Sequence, residues 1–260
     1  MKRIAYSLLI VLTLIVLTSC EVEWETKFNK DGGGKYSMIM DMSAMLEMTA
    51  GMPSNKKKKE NELKDTVIDF SKILEEKKDS IAKLPADEQK KLKELEDLKI
   101  TIDADTAISK AIIRIDYDFD DLEDLKSVGK KMRLADLDEF VKMGSKGKTK
   151  KEKEDEAEEK EDEKFPAITD MLKFENSDKK FVSKLSEEAS KEIKKNSGDD
   201  NPLASLIKFK VRYIFPHKIK SVSNEDVRIL SSFKGIEFNV SAADLSKNPD
   251  YLNVEVEFEK

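Results

Sequence analysis

Between Ala111 and Asp120 the chain alternates without a break. Ile113, Ile115, Tyr117 and Phe119 fall on one side, and Arg114, Asp116, Asp118 and Asp120 on the other. A period of two sends successive side chains to opposite faces of an extended chain. A helix would scatter these residues around its circumference, so the segment reads as a strand with one dry face and one wet face. Such strands belong to antiparallel sheets that pack one face on a core. The rest of the chain must therefore supply partner strands and a cover.

Partner strands can be read at several places. Val22, Trp24, Thr26 and Phe28 alternate with Glu21, Glu23, Glu25 and Lys27. Asn29-Lys30-Asp31-Gly32-Gly33-Gly34 then supplies turn chemistry, and Tyr36, Met38, Met40 and Met42 alternate after it. This predicts a β-hairpin over Val22 to Met42. Lys99 to Asp103 alternates, and a turn near Asp105 to Ser109 leads into the strand from Ala111. Met171, Leu172 and Phe174 predict a strand. So do the run Phe209, Val211, Tyr213 and Phe215, and the pieces Val227 to Ile229, Ile236 to Val240 and Val254 to Phe258.

The cover comes from segments of longer period. Leu63, Val67, Phe70, Leu74, Ile81 and Leu84 follow 4-3 spacing, Pro85 interrupts, and Leu92, Leu95 and Leu98 make a second stripe. Residues 56–98 thus read as a charged helical pair, packed on the sheet or projecting from it. Leu122, Leu125, Val128 and Met132 predict another helix, as do Phe181 to Lys195 with Ser186 as N-cap. Ser43 to Ala50 and Ser241 to Ser246 read as short helices. Gly144 to Lys164 is almost entirely Lys, Glu and Asp, which bury too little apolar surface to offset their ordering entropy. The expected fold is α+β: an antiparallel sheet of hairpins under a few helices. One domain would be built from residues 20–143 and 165–260, with 144–164 as a charged linker.

The start of the chain carries a different signal. Met1-Lys2-Arg3 precedes an apolar run from Ile4 to Leu17, then Thr18-Ser19-Cys20. The run is short of the roughly 20 apolar residues that a spanning helix needs. It has the basic, apolar and small-residue order of a signal peptide covering residues 1–19. Leu17-Thr18-Ser19-Cys20 resembles the lipobox of bacterial lipoproteins. The resemblance implies that the Cys20 thiol receives a diacylglyceryl group, that cleavage follows Ser19, and that the new amine is often acylated with a palmitate-like chain. It places the domain in the cell envelope. Glu21 follows Cys20, where an inner-membrane retention signal would have Asp, so the outer membrane is the expected destination. Multiple acyl chains make a stable anchor.

Cys20 is the only cysteine, so no disulfide can close within the domain and core burial alone must hold it. Loss of residues 1–19 removes Lys2 and Arg3, leaving 46 basic and 54 acidic residues and a net charge of −8. Interspersed charges of both signs give no basic face for nucleic acid.

Three short segments carry a second resemblance: Lys30 to Tyr36, Asp116 to Leu122, and Tyr213 to Ile219. They are similar in plan to LppM-type envelope lipoprotein domains, β-rich folds with helical covers and a Gly-rich first hairpin. The charged segments at 56–98 and 144–164 depart from that plan, and no functional residue follows from it.

Catalytic signatures are sparse. His217 is the sole histidine, which removes His-based metal clusters and leaves no Gly-x-Ser-x-Gly elbow for it to serve. Asp116, Asp118 and Asp120 open like a calcium loop. The sixth position is Asp121 rather than Gly, though, and the twelfth is Ser127 rather than Glu. No metal site and no cofactor are expected. Met38, Met40, Met42, Met45, Met48 and Met52 make up six of the ten methionines. Thioethers give adaptable apolar surface. Met38, Met40, Met42, Met45 and Met48 are therefore the candidate apolar ligand surface, beside the plainer role of a pliable core. The expectation is a membrane-anchored, non-catalytic envelope lipoprotein that binds a protein partner or an apolar ligand. The alternatives are an assembly lipoprotein docking through its charged helices, and a carboxylate-based hydrolase.

Overall fold

The structure is a computed structural model and describes residues 20–44, 65–105, 108–135, 168–196 and 207–259. Its fold is α+β. The first hairpin is β1 (Cys20–Phe28) and β2 (Gly34–Asp41), paired in antiparallel register with Trp24 opposite Met38. Its turn is set by glycine. Gly32 adopts φ +96°, and a side chain at Gly34 would collide with the Lys27 carbonyl. The alternating segment forms β5 (Lys110–Phe119), which lies between β2 and β4 (Leu98–Asp105). On the far side of β1 runs β8 (Ile207–Ile214), followed by β11 (Gly235–Ser241) and the short β10 (Arg228–Ile229). With β3 (Thr66–Asp69) at the other edge, these make an eight-stranded sheet in the order β10-β11-β8-β1-β2-β5-β4-β3.

Two features depart from the sequence expectation. β1 and β8 are parallel, so the sheet is mixed rather than wholly antiparallel. There is also a second sheet, in the order β6-β7-β12-β9, formed by β6 (Leu172–Asn176), β7 (Lys180–Leu185), β12 (Val254–Phe258) and β9 (Ile219–Val222). This sheet covers part of the first. The Phe181 ring of β7 lies 5.3 Å from Phe28, 4.9 Å from Tyr213 and 5.0 Å from Phe215. The Ser183 and Tyr213 hydroxyls meet at 3.2 Å across the same interface. Each buried aromatic here removes apolar area from water worth roughly 1.5–3 kcal/mol.

The covering helix is α4 (Leu122–Leu134), named after α1 (Phe70–Glu76), α2 (Lys78–Ile81) and α3 (Ala86–Lys93). Asp121 caps α4 by accepting from the Glu123 and Asp124 amides, and Leu125, Val128 and Met132 go into the core. Three more helices follow: α5 (Ile168–Met171), α6 (Glu187–Asn196) and α7 (Ala242–Lys247). Ser241 caps α7 through the Asp244 amide, and Ser186 accepts from the Ala189 amide at the start of α6.

Three local expectations need correction. Residues 56–64 lie outside the described residues, and the stripe from Val67 to Leu84 is not one helix: Thr66-Val67-Ile68 pairs as edge strand β3, and Asp69 caps a new helix through the Lys72 amide. β-branched residues lose rotamer freedom in a helix and pack well on a strand. Leu98 opens β4 rather than closing a helix. Phe181 to Leu185 is strand β7, not the first turns of α6, because Phe181 is needed in the core between the sheets. Residues 45–50 and 144–164 lie outside the described residues.

Candidate functional site

The wet face of the large sheet carries a continuous ion-pair ladder. Parallel pairing of β1 with β8 sets Glu23 against Lys210 and Glu25 against Arg212. Alternation leaves Glu21, Glu23, Glu25, Lys210 and Arg212 on the face away from the core. Arg212 donates from Nη1 to Glu23 at 2.6 Å and to Glu25 at 3.4 Å, while its Nε reaches Glu237 at 2.8 Å. Lys210 bonds Glu21. Glu237 of β11 is the hub. Only 3% of it is exposed, and it also accepts from Arg228 at 2.7 Å and Asn239 at 2.9 Å. Burial alone would raise its pKa; hydrogen bonds from Asn239, Arg212 and Arg228 outweigh that and hold the carboxyl below its ordinary value.

A second polar cluster sits where α4 meets β5. The Tyr117 hydroxyl donates to Asp124 at 2.7 Å, and Lys131 donates to Asp124 at 2.7 Å as well as contacting Tyr117. Asp124 and Lys131 are seven residues apart on one face of α4. Burial and the Asp124 hydrogen bond both push the Tyr117 phenol upward, so it stays neutral. Each polar atom in this cluster has a partner, which suits a clasp between helix and sheet.

The residues singled out by sequence have these positions. Cys20 is the first residue of β1, opposite Ile207 in the parallel pair. Met38 and Met40 point into the closed core, 0% and 5% exposed, and Met42 packs partly buried against it. Met45 and Met48 lie outside the described residues. Asp116 faces the wet side, accepting from Ser37 at 2.5 Å with Arg114 at 3.5 Å. Asp118 lies near Lys35, and Asp121 is spent as a helix cap. Among the described residues, no group of three or more His, Cys, Asp or Glu side chains is arranged to hold a metal ion. His217 lies 3.7 Å from Asp178 and against the Phe258 ring. A depression of about 290 Å³ is lined by Gly32, Asp121, Leu122, Glu123 and Asn176.

Sequence reasoning missed Glu237 and Lys131. The alternation around Ile236 and Phe238 marks Glu237 as wet, but only the neighbouring strands bring two arginines to it. The seven-residue spacing of Asp124 and Lys131 was the available signal for the clasp.

Among the described residues no helix is long and apolar enough to cross a membrane. No protein-family model matches the chain, and no curated protein does. Among solved structures, the folded domain of LppM from Mycobacterium tuberculosis, determined by NMR, is similar over 93% of this chain and 90% of its own length. The identity is 8% and the TM-score 0.35, a likeness that carries no argument about what this chain does.

Proposed function

We propose that this chain is a membrane-anchored, non-catalytic lipoprotein of the cell envelope whose domain docks a protein partner. The observation that carries the reading is the place of Cys20. The lipobox cysteine is itself the first residue of a central strand, so acyl chains on it would join the sheet with no flexible tether. The outer membrane is the proposed destination, since Glu21 rather than Asp follows the cysteine. The ion-paired carboxylates of the sheet face support a structural role over a hydrolytic one.

The partner surface is the excursion from β3 to α3. Helices α1, α2 and α3 bury none of their residues, and Val67, Ile73 and Leu84 along it are large exposed hydrophobics. Beyond Phe70, which packs partly buried against the core, these helices bury little of their own surface, which suits contact with something else. The apolar-ligand reading has less support, because Met38 and Met40 fill the core.

Fractionation of cells making Cys20→Ala tests the anchor. The variant should leave the membrane fraction in soluble form. Retention of Cys20→Ala in membranes through an uncleaved leader would overturn the lipoprotein reading.

A further inference from the structure

We infer that the tip of the β4–β5 hairpin, led by Ile108, makes a second contact with the lipid bilayer that holds Cys20. This rests on the lipobox reading of Cys20 and adds an orientation to it.

Strand register gives the level of each residue at the anchor end. Glu21 pairs with Asp41, Asp41 with Ile112, and Ile112 with Asp103. One step nearer the end, the Met42 amide donates to the Ala111 carbonyl at 2.8 Å, and Ala111 pairs with Ala104. Cys20, Met42, Ala111 and Ala104 therefore form one row across the sheet. The β4–β5 ladder continues past that row to the pair Lys110 and Asp105, and only then turns back through Ile108 and Ser109. Ser109 takes φ +52° in that reversal. Ile108 and Ser109 thus lie beyond the level of the lipidated residue. They stand two to three strands away, roughly 10–14 Å at ~4.8 Å per strand.

The side chain at the tip has the chemistry for a lipid surface. Ile108 is 68% exposed, more than any other large hydrophobic among the described residues. The others do not share its position. Ile229 and Phe233 flank the start of β11, where Gly235 pairs with Ile214 at the opposite end of the sheet. Ile73 and Leu84 belong to the excursion that leaves β3 beyond Asp69, also away from the anchor row. A bilayer held at Cys20 is the apolar phase closest to Ile108, and burying an exposed apolar side chain there is favourable.

The charge at this end selects the lipid. Lys110 pairs with Asp103 at 2.6 Å, and Asp65 and Asp105 lie close enough to raise its pKa after that hydrogen bond has done so. Among the described residues, Asp65, Asp103 and Asp105 surround Lys110 and disfavour an anionic leaflet, so Ile108 should enter zwitterionic lipid most readily. Two points of attachment, the acyl chains and the hairpin tip, would fix the sheet edge-on to the membrane. The α1–α3 excursion would then be held on the side away from the bilayer.

The test uses full-length lipidated protein, purified from membranes and reconstituted into phosphatidylcholine vesicles with or without dibrominated acyl chains. Trp24 is the single native tryptophan and is buried, so wild-type protein supplies the background. Ile108→Trp should lose emission in brominated vesicles, and Ile229→Trp at the opposite end should not. Undiminished Ile108→Trp emission on protein whose Cys20 carries lipid by mass spectrometry overturns the hairpin contact and leaves the anchor standing. Equal quenching of both variants overturns the edge-on orientation and the inference with it. Protein found without acyl chains on Cys20 removes the anchor itself, and the inference falls for that separate reason.

Discussion

Glu237 shows how one side chain can reinforce three strands that already pair, because its register partners are Arg212 of β8 and Arg228 of β10. Its carboxylate is 3% exposed and is met by Arg212, Arg228 and Asn239, so its desolvation is offset by three donors rather than one. Removing the charge takes the ionic partner on β11 from the half-buried Arg212, which keeps Glu23 and Glu25, and from the exposed Arg228. Glu237→Gln should therefore cost about 1–3 kcal/mol at neutral pH, readable as a melting temperature lower by several degrees. The pH dependence follows from the direction of the pKa shift. Because the folded value lies below the unfolded one, the stabilisation is complete above the unfolded pKa and disappears as pH falls through the folded one. The gap in melting temperature between wild type and Glu237→Gln should close on acidification through the carboxylate range. A gap that stays constant to low pH would show that Glu237 acts by shape alone. Gly129 makes a different point. Alanine is the better helix former by about 1 kcal/mol, yet a Cβ at Gly129 would collide with the Asp170 carboxylate of α5. That carboxylate also holds Arg133 at 2.7 Å. Gly129→Ala should destabilise the fold by about 1–3 kcal/mol despite the propensity gain, and a rise in melting temperature would refute the close crossing of α4 and α5.

At the scale of elements, the excursion from β3 to α3 is separable from the core in a way α4 is not. Its helices bury no residue fully, Phe70 at their start packing partly against the core, while Leu95 just beyond them is buried. Replacing residues 71–94 by a short Gly-Ser linker should cost within about 1 kcal/mol beyond the lost Lys130–Glu94 pair, since surface changes away from packed features are small. A denaturant midpoint far below wild type would show that the excursion braces the sheet. The excursion is also where the sequence misled. Leu63 to Leu84 keeps helical spacing, but Thr66, Val67 and Ile68 pair with β4 because an edge of the sheet was open to them. Phe181 failed for the same kind of reason: its neighbours Glu187 and Glu188 announce a helix, and Phe181 itself belongs to the core between two sheets. β1, β2, β5, β8, β11 and β12 were legible because their large apolar side chains recur at every second position. The charged hub was not, since alternation marks a residue as wet without naming the strand that will lie beside it.

At the scale of the molecule, the decisive contact is the parallel pairing of β1 with β8, which joins the first strand to one nearly two hundred residues later. No local pattern encodes it. It puts the first described strand in the middle of the sheet rather than at an edge, with Cys20 at its start and a partner strand on each side. A lipid there holds the whole domain rather than a frayed terminus. The central claim is that Cys20 is the lipidated first residue of this sheet. Mass spectrometry of the N-terminal peptide, released from protein extracted from membranes, tests it most directly. The expected peptide begins at Cys20 and carries the mass of a diacylglyceryl group, with or without an acyl chain on its amine. A peptide that begins before Cys20, or begins at it with a free thiol, would contradict the account.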